Sequence, residues 1–135
     1  NAKRIIISGL GGSGIVGIDF SYKLQKLGMP AMAGTDIHAL LAYVTTFSKD
    51  DLVFAISESG ETHEIVAITE QARKNNCKVI SLTKYGTTAI SDNADIKLYS
   101  VAENESLRLS SILARTSQEF VIDILFIAIT QSFKF

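Results

Sequence analysis

Three hydroxyl side chains lie within six residues in the run Ser57-Glu58-Ser59-Gly60-Glu61-Thr62, with a glycine between the second and third. The run follows a strand-like segment, Asp51 to Ile56, and leads into a helix-like one, His63 to Asn76. A strand-to-helix turn presents unpaired backbone N–H groups and the positive end of a helix dipole, a combination that favours a bound anion. Hydroxyls add hydrogen-bond donors without charge, and Gly60 lets the backbone come close. Nothing in the run pairs a nucleophile with a base, so the chemistry it suits is holding a phosphate. Helix capping by Ser59 or Thr62 accounts for one hydroxyl and leaves the others unexplained.

A second turn of interest is Gly9-Leu10-Gly11-Gly12-Ser13-Gly14, which matches G-x-G-x-x-G between a strand and a helix. Alone it permits a dinucleotide site, with Asp36 near the distance of a ribose-binding acid, or simply a tight turn. A nicotinamide enzyme has no need of Ser57-x-Ser59-x-x-Thr62 on a later strand. No Walker lysine follows either loop, which disfavours a nucleoside triphosphate. One loop bearing Ser13 and another bearing Ser57, Ser59 and Thr62 suit a single terminal phosphate on a small polar body.

The elements that must position these loops are short apolar runs alternating with helical stretches. Strands are expected at 4–8, 30–34, 52–56, 78–82 and 96–99, the second being the weakest in composition. Helices are expected at 15–27, from an Asp36 cap to about 46, at about 62–75, at 87–93, and from about 106 to 133. Five strands with helices between them predict an α/β three-layer αβα sandwich on a parallel sheet of flavodoxin-like topology. In such sheets ligands bind beyond the carboxyl ends of the strands, where strand order reverses. Both loops fall at that edge.

Composition narrows the classes. A chain of 135 residues, 47% hydrophobic and 20% charged with one proline, suits one folded domain rather than a disordered one. A net charge of −1 lacks the footprint of a nucleic-acid binder. The lone Cys77 cannot form an internal disulfide and reads as a packed residue in a reducing, cytoplasmic setting. Two histidines without a cysteine cluster make no metal site, and no cofactor is implied. No apolar run approaches the roughly 20 residues of a membrane span. Asn1-Ala2 reads as a tag remnant, leaving 3–135 as the domain, and the start without methionine predicts a segment before it.

Taken together, Gly9-x-Gly11-x-Ser13 and Ser57-x-Ser59-Gly60-Glu61-Thr62 resemble a sugar isomerase (SIS) domain, over essentially the whole chain after Ala2. Gly11-Gly12-Ser13-Gly14, Asp36-x-His38 and Arg108-x-x-Ser111-x-x-x-Arg115 followed by Asp123-Ile124-Leu125-Phe126 are similar to the SIS domain of RpiR-type transcriptional regulators. That resemblance implies a phosphosugar sensor whose operator DNA is bound by a separate N-terminal helix-turn-helix domain. It implies that Ser13, Ser57, Ser59 and Thr62 hold the phosphosugar with backbone help from Gly11, Gly12 and Gly60. It also implies that His38 reaches the sugar, from its own or a neighbouring subunit.

Glu58 stands where many SIS enzymes have glutamine or tyrosine. A carboxylate repels a phosphate, so Glu58 either turns outward or contacts sugar hydroxyls. A phosphosugar isomerase is the alternative, and it needs a general base. Glu61, Glu64, Glu103 and Glu105 are candidates, each equally a helix-terminal or solvated charge. In the last helix Ile112, Leu113, Phe120, Val121, Ile124, Leu125, Ile127 and Ala128 spread over more than one face, which predicts a homodimer or higher oligomer.

Overall fold

In the first strand Ile5 and Ile7 join one apolar cluster and Ile6 joins another, and all three are nearly inaccessible to solvent. The computed structural model describes residues 2–34, 36–100 and 107–132, and the side chains of all of these except 107–111. The elements run β1 (Ile5–Ser8), α1 (Gly11–Lys26), β2 (Ala31–Ala33), α2 (Ile37–Val44), β3 (Leu52–Ile56), α3 (His63–Lys74), β4 (Lys78–Lys84), α4 (Ala89–Asp92), β5 (Ile96–Ser100) and α5 (Leu107–Ser132). The strands form one sheet in the order β2-β1-β3-β4-β5, with every neighbour parallel. This is the expected flavodoxin-like order, and it reverses between β1 and β3.

Alternation along the strands divides the core between two helical layers. Val16, Phe20, Leu24 and Ile122 of α1 and α5 meet Ile7, Phe54, Ile56 and Leu82 on one face. Leu40, Val44, Ile65, Ile68 and Ile90 of α2, α3 and α4 meet Ile6, Val53, Ala55 and Val79 on the other. Each such side chain stabilises the fold by about 1.5–3 kcal/mol on burial. A Cβ on Gly17 would lie 3.0 Å from Ile7 Cγ2, so α1 rides unusually close to the sheet.

Two of the boundaries that differ from expectation bear on the loops. Helix α1 starts at Gly11 rather than near Ile15. Glycine is disfavoured in a helix by about 1 kcal/mol, so apolar periodicity places the start too late. Here a Cβ on Gly9 would meet the Ser13 backbone at 2.8 Å, and the turn closes directly into the helix. Gly11, Gly12 and Ser13 are therefore first-turn residues. Strand β4 continues to Lys84, whose N–H donates to the Glu58 carbonyl at 2.9 Å and ties strand end to loop.

At the opposite edge Arg4 fastens the start of β1. Its guanidinium donates to Asp51 (3.2 and 3.0 Å) and to Thr46 Oγ1 (2.9 Å), and lies 4.5 Å from the Phe47 ring centre. This clasp holds β1 against the chain entering β3.

Candidate functional site

Helices α1 and α3 follow β1 and β3, the adjacent strands at the reversal, so their N-termini open on the same edge. Neither is capped by a side chain: Leu10 at the α1 N-cap has none to offer, and Thr62 at the α3 N-cap does not use its own. The starts of α2 and α4 are closed. Asp36 accepts from Ala39 N at 3.1 Å on α2, and Thr88 and Ser91 form a reciprocal capping box on α4. Asp36 is thus committed to capping rather than to a ribose. First-turn amides of α1 and α3 are left for water or a ligand, at the positive ends of two helix dipoles.

The hydroxyls are arranged to accept from the scaffold. Ser57 Oγ accepts from Gly60 N at 3.1 Å and lies 2.7 Å from Thr62 Oγ1. Ser59 Oγ accepts from Glu61 N at 3.1 Å and lies 3.4 Å from Ser57 Oγ. Ser13 Oγ accepts from Gln118 Nε2 at 3.1 Å and donates to Gln118 Oε1 at 3.4 Å. A hydroxyl has two acceptor lone pairs and one donor proton. Ser57 and Ser59 each accept from an N–H donor, and the two contacts among Ser57, Ser59 and Thr62 use at most two of their three protons, which leaves one for an anion.

Gly60 holds this loop in shape. Its φ of +71° is a left-handed conformation, and a Cβ there would fall 2.3 Å from Thr88 Oγ1. Its N–H is already spent on Ser57, so its place in the site is to let the loop fold against α4 rather than to donate. Glu61 accepts from Ala89 N at 3.1 Å, which fastens the same loop from the other side.

Gly12, Ser13, Glu58, Arg115 and Gln118 line a cleft of about 130 Å³ between the two loops and α5. Pockets for drug-sized ligands run to roughly 300–1,000 Å³, so this one suits a compact polar molecule rather than a dinucleotide. Ser13 and Glu58 meet at the cleft, while Ser57, Ser59 and Thr62 form their own network within the loop. His38 is exposed in the first turn of α2 and does not line the cleft. Glu64 is exposed at the start of α3. Glu103 and Glu105 lie outside the described residues, as do the side chains of Arg108 and Ser111.

Sequence reading passed over Gln118 and Ser100. Gln118, 1% exposed, orients Ser13, and nothing in residue type marks it out among Thr116, Ser117 and Glu119. Ser100 donates to the Glu58 carboxylate, a pairing 42 positions apart that no local pattern announces. Cys77 is buried, and burial pushes its thiol up to about 11, so it is no nucleophile at neutral pH. Among the described residues no cluster of three or more His, Cys, Asp or Glu is placed to hold a metal, and no helix is long and apolar enough to cross a membrane.

The SIS domain model matches residues 1–128. The chain belongs to the SIS-domain family. This SIS domain is 39% identical over 131 residues to the uncharacterized HTH-type transcriptional regulator YfhH of Escherichia coli K12, covering 97% of the chain and 46% of that protein. It is 42% identical over 127 residues to the uncharacterized HTH-type regulator YbbH of Bacillus subtilis 168, covering 93% and 45%. The domain thus spans about half the length of the curated relatives it matches. Its fold superposes with a TM-score of 0.90 and 28% identity on Vibrio vulnificus NanR complexed with ManNAc-6P, covering 98% of this chain and 50% of that one.

Proposed function

We propose that this SIS domain binds a sugar phosphate between the loops after β1 and β3, as the effector domain of an RpiR-type bacterial transcriptional regulator. The observation that carries the reading is the pair of adjacent, uncapped helix starts flanked by serine hydroxyls that each accept an N–H from the scaffold. The phosphate sits on Ser13, Ser57, Ser59 and Thr62 with the amides of Gly11 and Gly12, Gly60 shaping the loop. His38 approaches the sugar from its own or a neighbouring subunit. The regulators YfhH and YbbH and the phosphosugar-bound NanR support this assignment.

On this reading the protein works in the cytoplasm as at least a homodimer, and operator DNA is held by a separate helix-turn-helix domain. Exposed Ile112, Phe120, Ile124 and Ile127 on α5 supply an apolar face for a second copy. Ligand moves the regulator only through differential affinity for two arrangements of that dimer. The site senses rather than converts its ligand, and isomerisation is the competing outcome.

A thermal-shift screen with sugar phosphates, their dephosphorylated forms, NAD and NADP tests the assignment, since a ligand of the folded state raises the melting temperature by mass action. A shift with a sugar phosphate but not its free sugar is expected. A shift with a dinucleotide alone overturns it, and turnover of the bound compound would make the domain an isomerase.

A further inference from the structure

The hydroxyl loop carries a carboxylate, which a phosphate alone has no use for. Glu58 sits between Ser57 and Ser59, its carbonyl engaged by Lys84 N at 2.9 Å and its carboxylate by Ser100 Oγ. Ser100, the last residue of β5, is 1% exposed and also donates toward the Thr83 carbonyl, so its position is set by the sheet. Glu58 is therefore neither turned out to solvent nor loose. It is half-buried and faces the cleft, with Ser13, Arg115 and Gln118 as the other polar walls. Among the described residues no cation lies within ion-pair distance of it.

An ionised carboxylate offers about four lone-pair sites and no donor. Ser100 occupies one, and the rest look for N–H or O–H groups. We infer that Glu58 reads the uncharged body of the ligand, accepting hydrogen bonds from its hydroxyl or acylamino groups and rejecting a second anionic group. This rests on the sugar-phosphate reading above and narrows it: the preferred ligand is a monophosphate of a neutral sugar, not of a sugar acid. The helix starts and hydroxyls take the phosphate, and the fixed negative charge beside them sets the orientation. Ser100 is the positioning residue for Glu58.

Calorimetry on the 135-residue chain tests this with inorganic phosphate, glucose 6-phosphate, fructose 6-phosphate, ribose 5-phosphate, N-acetylglucosamine 6-phosphate, N-acetylmannosamine 6-phosphate and 6-phosphogluconate. Wild type should bind at least one neutral sugar phosphate about tenfold or more tighter than inorganic phosphate and 6-phosphogluconate, the scale of a charge-assisted hydrogen bond. Glu58→Gln should lose about tenfold for that sugar phosphate, keep or improve the affinity for inorganic phosphate, and narrow the gap to 6-phosphogluconate. Ser100→Ala should show the same pattern more weakly.

Unchanged selectivity in a folded Glu58→Gln variant overturns the inference and leaves the phosphate cradle standing. Sugar phosphates that bind wild type no tighter than inorganic phosphate overturn it as well. If neither phosphate nor any sugar phosphate binds, the sugar-phosphate reading itself falls and Glu58 goes with it.

Discussion

Thr62 stands at the N-cap of α3 without capping it, because its hydroxyl lies 2.7 Å from that of Ser57. A threonine at that position ordinarily closes the helix and contributes about 1 kcal/mol. Here the cap is given up and the first-turn amides stay open. On the proposed reading, the loop forgoes local stability to leave those amides for a phosphate.

Ser59→Ala should weaken binding of the sugar phosphate found by the screen by about 1.5–3 kcal/mol, the range for a hydrogen bond to a charged partner. Ser59 is exposed and its hydrogen bonds to Glu61 N and Ser57 Oγ stay within its own loop, so melting of the free domain should change little. Titration calorimetry beside a melting curve separates the two effects. Unchanged affinity would remove Ser59 from the site.

Gly60→Ala should destabilise the domain by about 2–5 kcal/mol, combining left-handed backbone strain with a clash against Thr88. Urea titration reads this. Because the clash involves Thr88 Cβ at 2.4 Å as well as Oγ1, Thr88→Ala should not rescue it, whereas Thr88→Gly should recover part of the loss.

Stability should decline at both ends of the pH range, for different reasons. Hydrogen bonding to Arg4 holds the Asp51 carboxyl below the usual carboxylate range, against the opposing effect of burial. Its contribution is fully present above the unfolded pKa of about 3.9 and is lost as pH falls through the lower folded value. Asp51→Asn should flatten that acid limb. Burial raises Cys77 from 9.0 to about 11, so the folded state keeps a proton that the unfolded chain releases. Stability should therefore fall between pH 9 and 11, by at most about 1.4 kcal/mol per unit from this group. Cys77→Ala, compared with wild type by urea titration across pH 8–11, should lack that component of the slope.

Phe120→Asp should turn an associated protein into a monomer while leaving the fold intact, since Phe120 is 65% exposed on α5. Sedimentation at micromolar concentration is the measurement. A wild-type chain already monomeric there would remove α5 as a strong interface.

Continuous apolar runs made the sheet legible, since strands buried on both faces, such as Ile5–Ile7 and the run at 52–56, write themselves into residue type. The α1 start was misplaced because three glycines in a first turn look unlike a helix until the contact between Gly9 and Ser13 is known. Chemistry assembled across distance was hidden for the same kind of reason. Gln118 reaches Ser13 over 105 positions, and Ser100 reaches Glu58 over 42. The apolar excess of α5 was visible, but not its division into a buried side at Ala114, Gln118 and Ile122 and an open one at Ile112, Phe120 and Ile124.

Gln118 and Ile122 are one turn apart on α5, the first bonded to the cleft hydroxyl of Ser13 and the second fully buried in the sheet-facing core. Occupancy of the cleft and integrity of that core therefore belong to one cooperative unit. Ligand binding should slow amide hydrogen exchange along α5 well beyond the residues it touches, which makes this helix the natural reporter of whether the cleft is filled.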